Sequence, residues 1–99
     1  CAGETGTAES RVAACTRLIA AGRTKGEALA DLYVYRAFEF YTHLNDYDRA
    51  IADYNQAIRL NPKSATVHRS RGNAYLQKKD IDRAIDDFST AIRLDKKYV

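Results

Sequence analysis

The 99-residue chain contains no methionine and no tryptophan, one proline, two cysteines and five glycines. Without a methionine, Cys1 does not read as a translation start. The chain is expected to be a trimmed piece or the product of processing, with any targeting segment outside it. It also lacks an apolar run of the ~20 residues that a membrane-spanning helix needs. Charge of one sign is not concentrated anywhere. Lys and Arg number 16 against 13 Asp and Glu, for a net +3, and the signs alternate, as in Asp48-Arg49 and Asp82-Arg83. Nucleic-acid domains gather their basic residues on one stripe, so no nucleic-acid partner is expected. The mild positive balance suits an acidic partner without requiring one.

Catalytic motifs are missing as well. There is no nucleophile elbow, no phosphate-cradling glycine loop and no paired-carboxylate constellation. Gly3-x2-Gly6 is too short to count. His43 and His68 have no partner at H-x3-H spacing, which argues against a metal site. Glu39 and His43 stand at i, i+4, which would allow an acid/base pair, but a solvated helix-surface pair is the preferred reading. Neither a catalytic residue nor a cofactor is expected.

What the chain does contain is an internal repeat. Sliding the sequence by 34 residues lays 31–64 over 65–98 with 12 identities, most of them in one block: Tyr41/Tyr75, Asp46/Asp80, Asp48/Asp82, Arg49/Arg83, Ala50/Ala84, Ile51/Ile85, Asp53/Asp87, Ala57/Ala91, Ile58/Ile92, Arg59/Arg93, Leu60/Leu94 and Lys63/Lys97. Within each copy the apolar period is helical. Ala50, Tyr54, Ala57 and Ile58 share one face, and Ala84, Phe88, Ala91 and Ile92 repeat it. Asp46 and Asp80 are placed as N-caps, with Asp48 and Asp82 in the first turn. Lys78 and Lys79 sit where the preceding helix ends, and Asn61-Pro62 stops the next. The pattern predicts helices over 27–43, 46–60, 65–78 and 81–95. Upstream, Ser10–Ile19 overlays Arg49–Ile58 at an offset of 39. The extra residues fall in Ala21–Gly26, a widened connection. The expectation is an all-α solenoid forming one domain over 1–99: a divergent half-repeat and loop over about 8–26, repeat 1 over 31–64 and repeat 2 over 65–98. Residues 1–7 are an irregular lead-in.

These copies resemble the tetratricopeptide repeat family, whose unit is a 34-residue helix pair. The second copy carries Gly72-x2-Tyr75, Ala84-x3-Phe88 and Ala91; the first carries Tyr41, Ala50-x3-Tyr54, Ala57 and Pro62. Small residues let helices approach, and the aromatics fill the space between them. The match departs from the family at several places. Val34 and His68 stand where a bulky aromatic is usual, Ala37 and Arg71 where Leu is, and Phe38 where Gly is. Lys96 replaces the second copy's proline. Phe38 is expected to supply the volume that Val34 does not. The run CTRLIA…DYNQAIRLNP is similar to bacterial, often exported, members.

The resemblance implies a non-catalytic, protein- or peptide-binding scaffold, whose first helices line a concave groove. By position that groove would present Leu32, Tyr35, Arg36, Glu39, Thr42 and His43, then Thr66, Arg69, Ser70, Asn73, Leu76 and Gln77. Arg69 and Asn73 stand at i, i+4 and suit a peptide carboxylate or acidic side chain. Family members use a basic residue and Asn at these positions to hold a peptide carboxyl terminus; only that half of such a clamp is present here. Plain solvation of an exposed helix is the competing reading. A structural or self-associating role is the alternative function, because no polar helix follows the second repeat and Ala91, Ile92, Leu94 and Tyr98 would be left uncovered. RNA binding by a helical repeat ranks behind both, since Glu39, Asp53 and Asp87 spread acid through the repeats. Cys1 and Cys15 would pair as a disulfide in a periplasmic or otherwise exported protein. Reduced thiols in a cytoplasmic protein, or a lipid-modified Cys1, are the alternatives.

Overall fold

A computed structural model of the chain describes residue 1 and residues 6–96. Among them are five helices and no strand: α1 (Ala8–Ala20), α2 (Gly26–Thr42), α3 (Tyr47–Leu60), α4 (Ala65–Gln77) and α5 (Ile81–Asp95). The four helices predicted for the repeats are present, and no bound moves by more than one residue. The helix expected over Ser10–Ile19 extends to Ala8–Ala20. Tyr98, the end of the second repeat and residues 2–5 of the lead-in lie outside the described residues. Among the described residues no helix is long and apolar enough to cross a membrane.

Local chemistry sets the helix starts. The carboxylates of Asp46 and Asp80 accept from the backbone N–H of Arg49 and Arg83, at 3.1 and 3.4 Å. Ser64 and Thr7 cap α4 and α1 in the same way, each satisfying a donor that the helix itself cannot. Asn45 and Lys79 hold left-handed φ values of 51° and 64° and close the turns before α3 and α5.

The helices stack in chain order. α2 packs on α3 and α4 on α5, while α1 against α2 and α3 against α4 join the units. This is an all-α helical-repeat solenoid. Alanines occupy the closest crossings: Ala37, Ala50, Ala74 and Ala84 are fully buried. Phe40 and Tyr54 fill the remaining core, with Val12, Val34, Tyr41 and Ile58 packed around it. Ala91, expected at an uncovered end, is instead only 5% exposed, because it lies on the side of α5 that meets α4. At the other end Cys1 and Cys15 meet with Cα atoms 4.7 Å apart, a span that a disulfide bridges.

The two copies are not in one register throughout. From the turn onward the 34-residue offset holds, and Asp53 and Asp87 are structural equivalents. Before the turn the equivalence is 35: Arg36-Ala37 matches Arg71-Gly72, and Phe40 matches Tyr75. Arg49 lies over the Phe40 ring and Arg83 over the Tyr75 ring, each with Cζ 5.8 Å from the centroid. The connection absorbs the difference, running 43–46 between α2 and α3 but only 78–80 between α4 and α5. The small residue of the first copy is therefore Ala37, not the residue after it. Phe38 does not replace volume in the core as expected; it is 52% exposed.

Gly72 marks how close the crossing is. A Cβ there would lie 2.8 Å from Phe88 Cε1 and 3.2 Å from Asp87 Cβ. Gly72→Ala should therefore destabilise by about 1–2 kcal/mol, since overpacking outweighs the gain in helix propensity. Urea unfolding of the two proteins checks this; equal or greater stability of the variant would contradict the close crossing.

Candidate functional site

Three arginines fix how the helices face one another. Arg36 donates through Nε and Nη2 to both oxygens of Asp53, each at 2.7 Å, and through Nη1 to Thr16 Oγ1 at 3.1 Å. Arg71 repeats the arrangement, with Asp87 at 2.9 and 2.7 Å and Asn55 Oδ1 at 2.8 Å. Thr16 and Asn55 are 39 residues apart, the offset that relates the half-repeat to repeat 1. Each arginine thus ties its own helix to the next helix and to the preceding one. Arg11 on α1 does similar work, holding Glu39 on α2 at 2.9 and 3.0 Å. The hydrogen bonds to the carboxylates raise the pKa of Arg36 and Arg71, although burial opposes the shift.

This corrects part of the expected groove. Arg36 and Glu39 are spent on inter-helix pairs and turn toward α1 and α3. Asp53 and Asp87 are buried partners of arginine, so they do not spread surface acid. His43 follows Glu39, its Nε2 lying 3.8 Å from the carboxylate. His68 is buried, with Nε2 3.0 Å from the Pro62 carbonyl oxygen. Its Nδ1 has no hydrogen-bond partner and faces Asp87 across 3.8 Å, where Arg71 already occupies both carboxylate oxygens. Among the described residues no group of His, Cys, Asp and Glu is placed to hold a metal ion.

The open face lies between α2 and α4. Phe38, Tyr41 and Thr42 from α2, Ser70 and Asn73 from α4, and Tyr54 from α3 enclose a cleft of about 160 Å³. The one-turn spacing of Asp31, Tyr35, Phe38 and Thr42 puts them on one side of α2, and all four are exposed. Thr66, Arg69, Asn73 and Gln77 do the same on α4, with Leu76 beside them. Among the expected residues, then, Tyr35, Thr42, Thr66, Arg69, Ser70, Asn73, Leu76 and Gln77 lie on this face. Phe38 was missed, and in the 35-residue register it is the counterpart of Asn73 across the cleft. Burial pushes the Tyr54 hydroxyl above its ordinary value of 10.0, with Ser70 partly offsetting the shift. The floor therefore stays uncharged at neutral pH, and the charges on this face are those of Arg69 and Asp31.

Stacked helix pairs with an open, half-apolar face are the architecture of an α-solenoid interaction scaffold. Two family models match the chain, one described as TPR repeat over residues 40–79 and one as Tetratricopeptide repeat over 65–98. The chain belongs to the tetratricopeptide repeat family. No curated protein matches it. Among solved structures it is similar to "Crystal structure of MamA", with a TM-score of 0.79 and 25% sequence identity over 92% of this chain. The chain spans 50% of that protein's length.

The arginine pairs and the open face should respond differently to truncation. Arg71→Ala strands the buried Asp87 carboxylate and should cost about 2–4 kcal/mol. Arg69→Ala, two residues away but exposed, should stay within about 0.5 kcal/mol of the parent. Thermal or urea unfolding of the pair checks this, and comparable losses in both would contradict the assignment.

Proposed function

We propose that the chain is a non-catalytic, protein- or peptide-binding module whose ligand lies along the face between α2 and α4. The observation that carries the reading is the exposure of Tyr35, Phe38 and Leu76 beside Arg69 and Asn73, on a face not needed to hold the helices together. Apolar anchors supply most of the binding energy in such surfaces, and polar groups set orientation. Arg69 and Asn73, one turn apart, would take a carboxylate through charge-assisted hydrogen bonds. An acidic side chain or a peptide carboxyl terminus is the chemistry they suit. Preformed helices lose little entropy on binding. Repeat 1 (31–64), repeat 2 (65–98) and the half-repeat before them are taken as one domain.

A second reading is self-association, favoured by the uncovered isoleucines of α5. For the compartment, we read Cys1 and Cys15 as a disulfide that ties residue 1 to α1. That chemistry fits an exported, periplasmic setting.

Two measurements test these readings. Fluorescence polarisation against a panel of peptides with free or amidated carboxyl termini should find acidic binders. Arg69→Ala with Asn73→Ala should weaken them about tenfold or more, and Phe38→Ala about as much, with helicity unchanged. Undiminished binding in both variants sinks the assignment of the face. Reduction of the cysteine pair should lower the unfolding free energy by about 3 kcal/mol for a loop of this length. Identical unfolding with and without reductant would mean that the thiols are not bonded.

A further inference from the structure

α3 and α5 carry the same apolar pattern but are covered differently. Ile51, Tyr54 and Ile58 of α3 recur as Ile85, Phe88 and Ile92 of α5, 34 residues on. Under α4, Ile51 is 9% exposed and Ile58 packs against the core. On α5, Ile85 is 55% and Ile92 60% exposed, with Ile81 at 49%. Ile81, Ile85, Phe88 and Ile92 follow i, i+4, i+7, i+11, which makes one stripe about 16 Å long. Nothing comparable lies on α1, where Leu18 is the one large apolar side chain exposed among the described residues.

The charges beside the stripe say what fits it. At about 100° per residue, Asp82, Asp86, Arg93 and Lys96 fall along one flank of the isoleucines, and all four are exposed. Acid fills the amino-terminal half of that flank and base the carboxyl-terminal half. A helix with this distribution complements a reversed copy of itself. Laid antiparallel across a twofold axis, Asp86 of each copy meets Arg93 of the other, while Ile85 and Ile92 interleave. Laid parallel, acid would oppose acid and base would oppose base.

We propose that the stripe binds α5 of a second copy of this chain, antiparallel, in a twofold-symmetric dimer. The proposal rests on the self-association reading and adds its geometry. A symmetric pair of short stripes buries less than the ~1,200 Å² at which interfaces become firm. The dimer is accordingly weak, with a Kd on the order of 100 µM.

Sedimentation velocity across a concentration series reads this directly, with circular dichroism confirming that each variant keeps its helices. The 99-residue chain should dimerise at high concentration, and Ile85→Asp with Ile92→Asp should leave it monomeric. Asp86→Arg alone and Arg93→Asp alone should each weaken self-association about tenfold, because each creates two symmetry-related repulsions. An equimolar mixture of those two variants should associate again, as should the chain carrying both changes. A monomer at every concentration assigns the stripe to another occupant, such as a following helix, and overturns both the proposal and the self-association reading. Association that survives the isoleucine changes does the same for this surface. Association that needs the isoleucines but ignores the charge variants overturns the antiparallel geometry alone.

Discussion

The arrangement depends on a guanidinium–carboxylate fork that crosses each helix pair. Asp53 and Asp87 are buried, and a buried carboxylate is tolerable only when its partner is fixed and its lone pairs are used. Arg36 and Arg71 meet that requirement with two hydrogen bonds each, then reach back to Thr16 and Asn55 on the preceding helix. Replacing such pairs with apolar residues is often neutral in stability. Their role here is to fix rotation and register: each arginine engages three helices at once, so none of the three can turn about its axis without breaking a bond. With one side of α2 and α4 pinned in this way, the opposite side faces outward and is left for Tyr35, Phe38, Arg69 and Asn73.

Much of the fold was legible because the repeat wrote the same information twice. Where Asp46 and Asp80 cap, or Ala50 and Ala84 approach a neighbour, two copies agree on one physical need. The 39-residue offset even anticipated the equivalence of Thr16 and Asn55. What a single 34-residue slide could not convey was the extra residue in the turn after α2. That slide paired Phe38 with Gly72 and made Phe38 look like displaced core. The signal was present as Arg36-Ala37 beside Arg71-Gly72, with Phe40 beside Tyr75, but it required letting the offset change at the turn.

The site was less legible for the same physical reason. Periodicity tells which residues share a helix face; it does not tell which charged residues on that face are consumed by a neighbour. Arg36 and Arg69 look alike in sequence, yet one is a strut bonded to Asp53 and Thr16 and the other is exposed. Only the partner's position separates them. The difference matters for function, since an arginine that forks a buried carboxylate has its charge already paired and three of its five N–H donors committed within the fold. The isoleucines of α5 present the converse case. Their equivalents in α3 are covered by the following helix, so the same residue pattern is core in one copy and surface in the other.

The proposed ligand lies along the face between α2 and α4 and nowhere else. Amide chemical-shift mapping, with the tightest acidic peptide from a panel titrated into the labelled chain, tests it most directly. The largest shifts should cluster at Tyr35, Phe38, Thr42, Arg69 and Asn73, with the residues around Thr16 and Ala52 on the arginine-pinned side unmoved. Shifts concentrated on that pinned side, with the α2–α4 face silent, would contradict it.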